Sequence, residues 1–150
     1  WAAHLGRRMG LISIDSAFTV IHLEQAERYG LGSRIVGIGA MQARVEDFEG
    51  TFAGDDTAKQ ALISAFEGEG RALIAKGADV LVVAGGLFGL LIAGEHGMNV
   101  DGVPVVNCTA VGLAWAEMDV RLHRSTGILA SQGPSFRLAP ARAREDLREA

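Results

Sequence analysis

The chain has 150 residues, 49% of them hydrophobic and 21% charged, with a formal net charge of -4. That length fits one domain burying roughly 70% of the surface its unfolded form would expose, and the composition is globular rather than disordered. Its slight acidity gives no electrostatic footing for nucleic acid, no apolar run reaches the ~20 residues of a membrane span, and a single cysteine excludes an internal disulfide, which suits a reducing, cytoplasmic setting.

The first residue is Trp1, and Trp1 to Arg8 reads as the end of a helix begun upstream, so a fragment of a longer chain is expected. Met9 to Ile14 is an apolar strand, closed by Asp15 and Ser16, either of which suits a helix cap. Ala17 to Tyr29 is loosely helical, with Gly30 as its stop. Arg34 to Gly39 forms the second strand, and the acidic stretch Glu46 to Asp56, with Gly50 and Gly54, reads as a loop. Asp55 or Asp56 then caps a helix whose Ala58, Ala61, Leu62, Ala65, Phe66, Ala72 and Leu73 share one face. Gly77 ends it.

Asp79 to Val83 is the third strand, and its lack of polar alternation predicts burial on both faces. A short helix from Leu87 to about His96, a loop through Asn99 to Gly102 and a fourth strand at Val103 to Val106 follow. The last clear helix, Thr109 to Leu122, carries Val111, Trp115, Met118 and Leu122 on one stripe, and Trp115 and Phe66 are expected in the core. From Ser125 the pattern breaks: Gly127, Gly133, Pro134 and Pro140 interrupt a segment where Arg137, Arg142, Arg144 and Arg148 mix with acidic residues. The expected organisation is an α/β lobe over 1–124 and a C-terminal tail over 125–150, packing on the body or a partner.

Four strands alternating with helices predict a doubly wound, flavodoxin-like parallel sheet in the order 2-1-3-4, flanked by helices. Ligands bind such sheets at the carboxyl ends of the strands beside the switch in winding direction. Here that edge is lined by Ile14-Asp15-Ser16, Ala84-Gly85-Gly86 and Asn107-Cys108-Thr109. Each residue type there has two readings. Gly85 and Gly86 serve a tight strand-to-helix turn through backbone geometry, or leave amides open to a ligand. Asp15 and Ser16 cap a helix or bind a substrate's polar group, with capping the more economical. Asn107 orients a substrate or braces its own loop.

Other signals are weaker. Gly37 to Gln42 starts like a dinucleotide fingerprint without its third glycine, and no Walker-type phosphate loop occurs. His4, His22, His96 and His123 share no metal-ligand spacing, and neither a metal nor an organic cofactor is expected. A phosphoacceptor receiver domain is disfavoured, because the third strand ends in Ala84 and not in an acid.

The runs KGADVLVVAGGLFGLL (Lys76–Leu91) and VDGVPVVNCTAVGLAWAEMDVRLHRSTGI (Val100–Ile128) carry a resemblance, as do LGRRMGLISID, QAERYGLGSRIVGI and SQGPSFRLAP. Together they resemble the second half of the aspartate/glutamate/hydantoin racemase superfamily, to which arylmalonate decarboxylases and allantoin racemases also belong. The resemblance implies one of two similar α/β lobes with the active site between them, in an enzyme of the isomerase class that uses no cofactor and assembles into homo-oligomers. It further implies a catalytic cysteine opening a Cys-Gly-Gly or Cys-Ala-Gly turn after the third strand. That position is Ala84 here, so the glycines are kept and the thiol is absent.

Cys108, one strand later, has chemistry of its own. Unpaired amides and the helix dipole shift a thiol at a helix N-terminus toward thiolate, and a thiolate beside a substrate carbon is a competent general base. The backbone amides of Gly85, Gly86 and Thr109 would then hold a carboxylate or its enediolate. Alternatively Cys108 is a small buried residue packed beneath its loop. The expected function is racemisation or isomerisation by proton abstraction at a carbon next to a carboxylate or amide carbonyl, on an amino acid, hydantoin or allantoin type substrate. Cys108 is then the catalytic group, and Ser16, Ala84, Gly85, Gly86, Asn107 and Thr109 contact the substrate. A single-base decarboxylase or lyase, and a non-catalytic small-carboxylate binding domain, are the alternatives.

Overall fold

The computed structural model describes residues 1–131 and 133. The chain contacts group Trp1–Ala114 into one compact unit, and a second unit begins at Trp115. In the first unit the elements run α1 (Ala2–Leu5), β1 (Met9–Ser13), a 3₁₀ turn at Ser16–Phe18, α2 (Thr19–Arg28), β2 (Ile35–Ala40), α3 (Val45–Phe52), α4 (Asp56–Ala75), β3 (Val80–Val83), α5 (Gly86–Leu91), β4 (Asn99–Val100) and β5 (Val103–Val106), and then enter α6 (Cys108–Thr126). None of the helices among the described residues is long and apolar enough to cross a membrane.

The five strands among the described residues form one sheet in the order β2-β1-β3-β5-β4. β1 pairs in parallel with β2 and β3, and β3 pairs in parallel with β5. This is the expected doubly wound order, with the switch between β1 and β3. One strand exceeds expectation: β4 adds to the edge antiparallel to β5, with Asn99 opposite Pro104 and Val100 opposite Val103. The stretch expected to be a loop is the arm of a hairpin. Asp101 and Gly102 turn it with φ of 49° and 85°, the paired positive values a two-residue type I′ turn requires.

The two faces of the sheet are covered unequally. On one, α4 lies close because Gly10 of β1 and Gly37 of β2 present no side chain; a Cβ at either would stand 3.0 Å from Leu73. Phe66, Leu73, Leu81 and Val83 are all at most 1% exposed there, and Phe66 stacks on Phe88 with ring centroids 4.5 Å apart. On the other face a smaller cluster forms from Met9, Val80 and Val106, backed by Ala2, Ala3, Leu31, Ile35, Val82 and Val111. α2 supplies only Ala26 as a buried residue and leaves Val20, Ile21 and Leu23 exposed.

A second departure from expectation is α3, which occupies most of the stretch read as an acidic loop. Glu46 and Asp47 fall in its first turn, where the helix dipole favours negative charge. Asp47 Oδ2 accepts the Arg44 amide at 2.7 Å, and Phe48 anchors the helix at 1% exposure. α5 is shorter than expected. It gives way after Leu91 to turns in which the Ala93 amide reaches the Leu90 carbonyl and the Glu95 amide the Ile92 carbonyl, short-range bonds that replace the helical ladder.

The link from α1 into β1 is tied by two charged residues. Asp79 accepts the Arg8 amide at 2.8 Å and the Arg7 amide at 3.0 Å. The Arg34 guanidinium donates to the carbonyls of Ala3 (2.8 Å), Arg7 (3.1 Å) and Gly6. In the second unit, the described helical residues from Trp115 onward are exposed throughout. Trp115, expected in the core, is 52% exposed, and Met118 and Leu122 on the same stripe are 38% and 50% exposed. An amphipathic stripe fixes which residues share a face, but not what covers it. Gly127, at φ 72°, closes the helix by donating its amide to the His123 carbonyl at 2.8 Å. Most of SQGPSFRLAP and the arginine-rich end of the expected tail lie outside the described residues.

Two outcomes test this description. The amides of Arg8, first, and Arg7 hold the Asp79 carboxyl below the usual carboxylate range. Its contribution to stability is therefore complete above the unfolded value near 3.9 and is lost as pH falls through the lower native value. Asp79→Asn is expected to melt lower than the parent at neutral pH, with the gap closing in acid; parallel melting curves at both pH values contradict this. Second, Gly85 adopts φ 153° and ψ 148°, a region accessible essentially to glycine alone. Gly85→Ala is expected to cost about 1–3 kcal/mol in urea unfolding. Gly86→Ala, at a helical position with open space around its Cβ, is expected to be neutral or slightly stabilising.

Candidate functional site

The carboxyl edge of the sheet is built by extending the ladders a residue or two past the strands. The Ala84 amide donates to the Ile12 carbonyl at 2.8 Å, which carries β3 along β1 as far as Ala84. Gly85 then turns the chain sharply into α5. At β5 the chain leaves through Asn107 into α6, so that Cys108 is the first residue of that helix. Its Sγ donates to the Gly85 carbonyl at 3.5 Å and lies 3.9 Å from Thr109 Oγ1. Gly85 and Cys108, 23 residues apart in sequence, thus meet at one point, with Ala84 bordering the same cavity.

Asn107 has a structural duty that uses both ends of its carboxamide. Oδ1 accepts the amides of Thr109 (3.0 Å) and Ala110 (3.2 Å), which caps α6. Nδ2 donates to the Gly89 carbonyl at 2.8 Å, joining α6 to α5. The Thr109 amide, expected to face a carboxylate, is therefore already bonded within the fold. Asp15 likewise caps the turn after β1 by accepting the Ala17 amide at 2.8 Å, and the exposed Ser16 hydroxyl donates to Asp15 at 3.4 Å. Gly86 differs from its neighbour: neither its backbone angles nor its packing demands glycine, and its Cβ position opens into empty space.

A cavity of about 380 Å³ lies against the less covered face of the sheet and reaches this point. Ala84, Gly85 and Cys108 border it at the carboxyl ends of the strands, and Met9, Leu11 and Val82 form its floor. α2 supplies the roof through His22, Gln25, Ala26 and Tyr29. Ser16, Gly86, Asn107 and Thr109 are not among the residues that border it.

Two residues that sequence reasoning passed over stand out. The Ser13 hydroxyl and His22 Nε2 are buried without a hydrogen-bond partner. Ser13 is 1% exposed and, by strand alternation, falls on the same face of the sheet as Met9 and Leu11, but it does not border the cavity. It was legible only as the lone polar residue closing an apolar strand. His22 was weighed in the sequence only as a metal ligand, and it is the partly buried histidine such a helix allows; its unpartnered Nε2 shows only once the helix is laid on the sheet.

No family model and no curated protein matches the chain in sequence. Among solved structures, the fold is similar to that of allantoin racemase from Klebsiella pneumoniae, with a TM-score of 0.67 at 17% sequence identity. The match covers 93% of this chain and 52% of that one. The chain therefore shares its fold with about half of that protein and spans about half its length.

Proposed function

We propose that the chain is one lobe of a cofactor-independent racemase or isomerase that abstracts a proton from a carbon next to a carboxylate or amide carbonyl. The observation that carries this reading is the meeting of Cys108 with Gly85 at the switch edge, 3.5 Å apart, in a fold shared with allantoin racemase. In the proposed step Cys108 releases to solvent the proton it donates to the Gly85 carbonyl and then, as the base, takes the proton from the substrate carbon. The electron pair of the broken C–H bond moves into the adjacent carbonyl to give an enediolate or enolate, and the S–H bond forms. Return of a proton to the opposite face requires a second acid, and Ala84 supplies none, so in a racemase that acid comes from outside this edge.

The same absence favours a second reading, a decarboxylase or lyase that delivers one proton from one thiol. There the carbanion arises by loss of carbon dioxide or another leaving group, and Cys108 protonates it. The substrate in either reading is a small carboxylate or hydantoin-like molecule.

Incubation in D₂O with chiral amino acids, 5-substituted hydantoins and allantoin, followed by NMR, separates the readings. Wash-out of the proton next to the carbonyl is expected. Cys108→Ala is expected to slow it by about 10²–10⁴-fold, the range for loss of a general base, with thermal stability preserved. Exchange that survives the substitution removes Cys108 from the chemistry. Absence of exchange from a folded sample leaves the decarboxylase or a non-catalytic carboxylate-binding domain.

A further inference from the structure

Proton abstraction next to a carbonyl leaves negative charge on the carbonyl oxygen. Enzymes hold such a charge with hydrogen-bond donors fixed in advance in a water-poor site. The first amides of α6 do not serve, because the Asn107 oxygen already takes those of Thr109 and Ala110. Of the polar side chains other than Cys108 that border the cavity, Trp1, Gln25 and Tyr29 are exposed. His22 differs from them: its Nε2 is buried and has no hydrogen-bond partner.

The chain also puts this ring at the right end of the cavity. The 3₁₀ turn Ser16–Phe18 leaves β1 at its carboxyl end and leads straight into α2, whose fourth residue is His22. His22 therefore stands in the first turn of the roof, toward the end bordered by Ala84, Gly85 and Cys108. The Phe18 ring, one turn earlier, packs beside it with centroids 6.3 Å apart. Buried polar atoms in native folds are nearly always bonded, and leaving one unanswered costs stability. An imidazole that carries a proton on Nε2 is a donor there, and an oxygen brought in by a ligand is the acceptor it lacks.

We infer that His22 is a catalytic residue of the proposed reaction, donating its Nε2–H to the substrate's carbonyl oxygen while Cys108 takes the proton from carbon. The imidazole keeps its own proton and stabilises the enolate through the hydrogen bond alone. The same contact serves the carbanion of the decarboxylase reading. The inference rests on the proton-abstraction reading for its reaction, but a donor reserved for an anionic oxygen is also a matter of binding.

His22→Leu and His22→Gln test this with two cyclic ureides, 5-methylhydantoin and barbiturate, the second of which is already an enolate anion at neutral pH. By titration calorimetry the parent is expected to bind barbiturate the more tightly. His22→Leu is expected to weaken barbiturate about 10–100-fold, the range for one hydrogen bond to a charged group, and to change 5-methylhydantoin less. Exchange at C5 of 5-methylhydantoin in D₂O is expected to fall about 10²–10³-fold in His22→Leu. His22→Gln, which keeps an N–H donor, is expected to lose less of both. Because His22→Leu removes an unanswered polar group, its urea midpoint is expected to equal or exceed that of the parent.

Barbiturate binding no tighter than 5-methylhydantoin in the parent, equal loss of both probes, or indifference of barbiturate to both variants overturns the assignment. Failure of both variants to fold makes His22 a structural residue and overturns it too. A barbiturate preference that His22→Leu removes, without exchange by the parent, upholds the donor and removes the proton-abstraction reading. Exchange by the parent that His22→Leu leaves unchanged does the reverse.

Discussion

The carboxamide of Asn107 ties together α5 and α6, the two helices that begin at the candidate site. Its oxygen caps the start of α6 through the Thr109 and Ala110 amides, and its NH₂ group holds the Gly89 carbonyl of α5. The approach is close enough that a Cβ on Gly89 would come within 2.9 Å of the Asn107 oxygen, so the pairing needs a bare backbone on one side and a short amide on the other. Because α5 begins at Gly85–Gly86 and α6 begins at Cys108, the same clamp sets the distance from the thiol to the Gly85 carbonyl. Neither helix start is free to drift, and the geometry on which any proton transfer depends is fixed by a residue with no chemistry of its own.

A second constraint comes from the unequal covering of the sheet. Glycines at 10 and 37 let α4 settle deeply, and that face is filled by Phe66, Leu73 and Leu81. On the opposite face α2 buries only Ala26, and the space left between helix and strands is the cavity that opens beside Cys108. Close packing on one side thus supplies the stability, and loose packing on the other supplies room. The knot of Asp79 and Arg34 keeps the α1 segment, which forms part of the cavity wall through Ala2 and Ala3, bound to the body of the fold.

Much of this was legible in the sequence, and the losses have physical reasons. The apolar strands at Met9, Val80 and Val103 and the caps at Asp15 and Asp55 report local chemistry directly, and the doubly wound order follows from their alternation with helices. α3 was missed because acidic residues and glycines look like a loop, although acids in a first helical turn and a buried Phe48 are equally what a short helix needs. The Asp101-Gly102 hairpin was available as a turn signal between apolar residues and was passed over for a plain loop. Trp115 lies on an amphipathic stripe, which says which way a face points but not whether anything meets it. At the site, the meeting of Ala84, Gly85 and Cys108 followed from topology, whereas the unsatisfied Ser13 and His22 depend on contacts no pattern encodes.

The central claim is that ligand binds where β3 and β5 end, against Cys108. As the chain has one cysteine, alkylation by iodoacetamide, followed by intact mass, reports on that point alone. Saturation with a member of the panel of chiral amino acids, 5-substituted hydantoins and allantoin that calorimetry shows to bind is predicted to slow alkylation by about the factor by which bound outnumbers free protein. An unchanged alkylation rate, with the ligand shown to be bound, would place the binding site elsewhere and contradict the account.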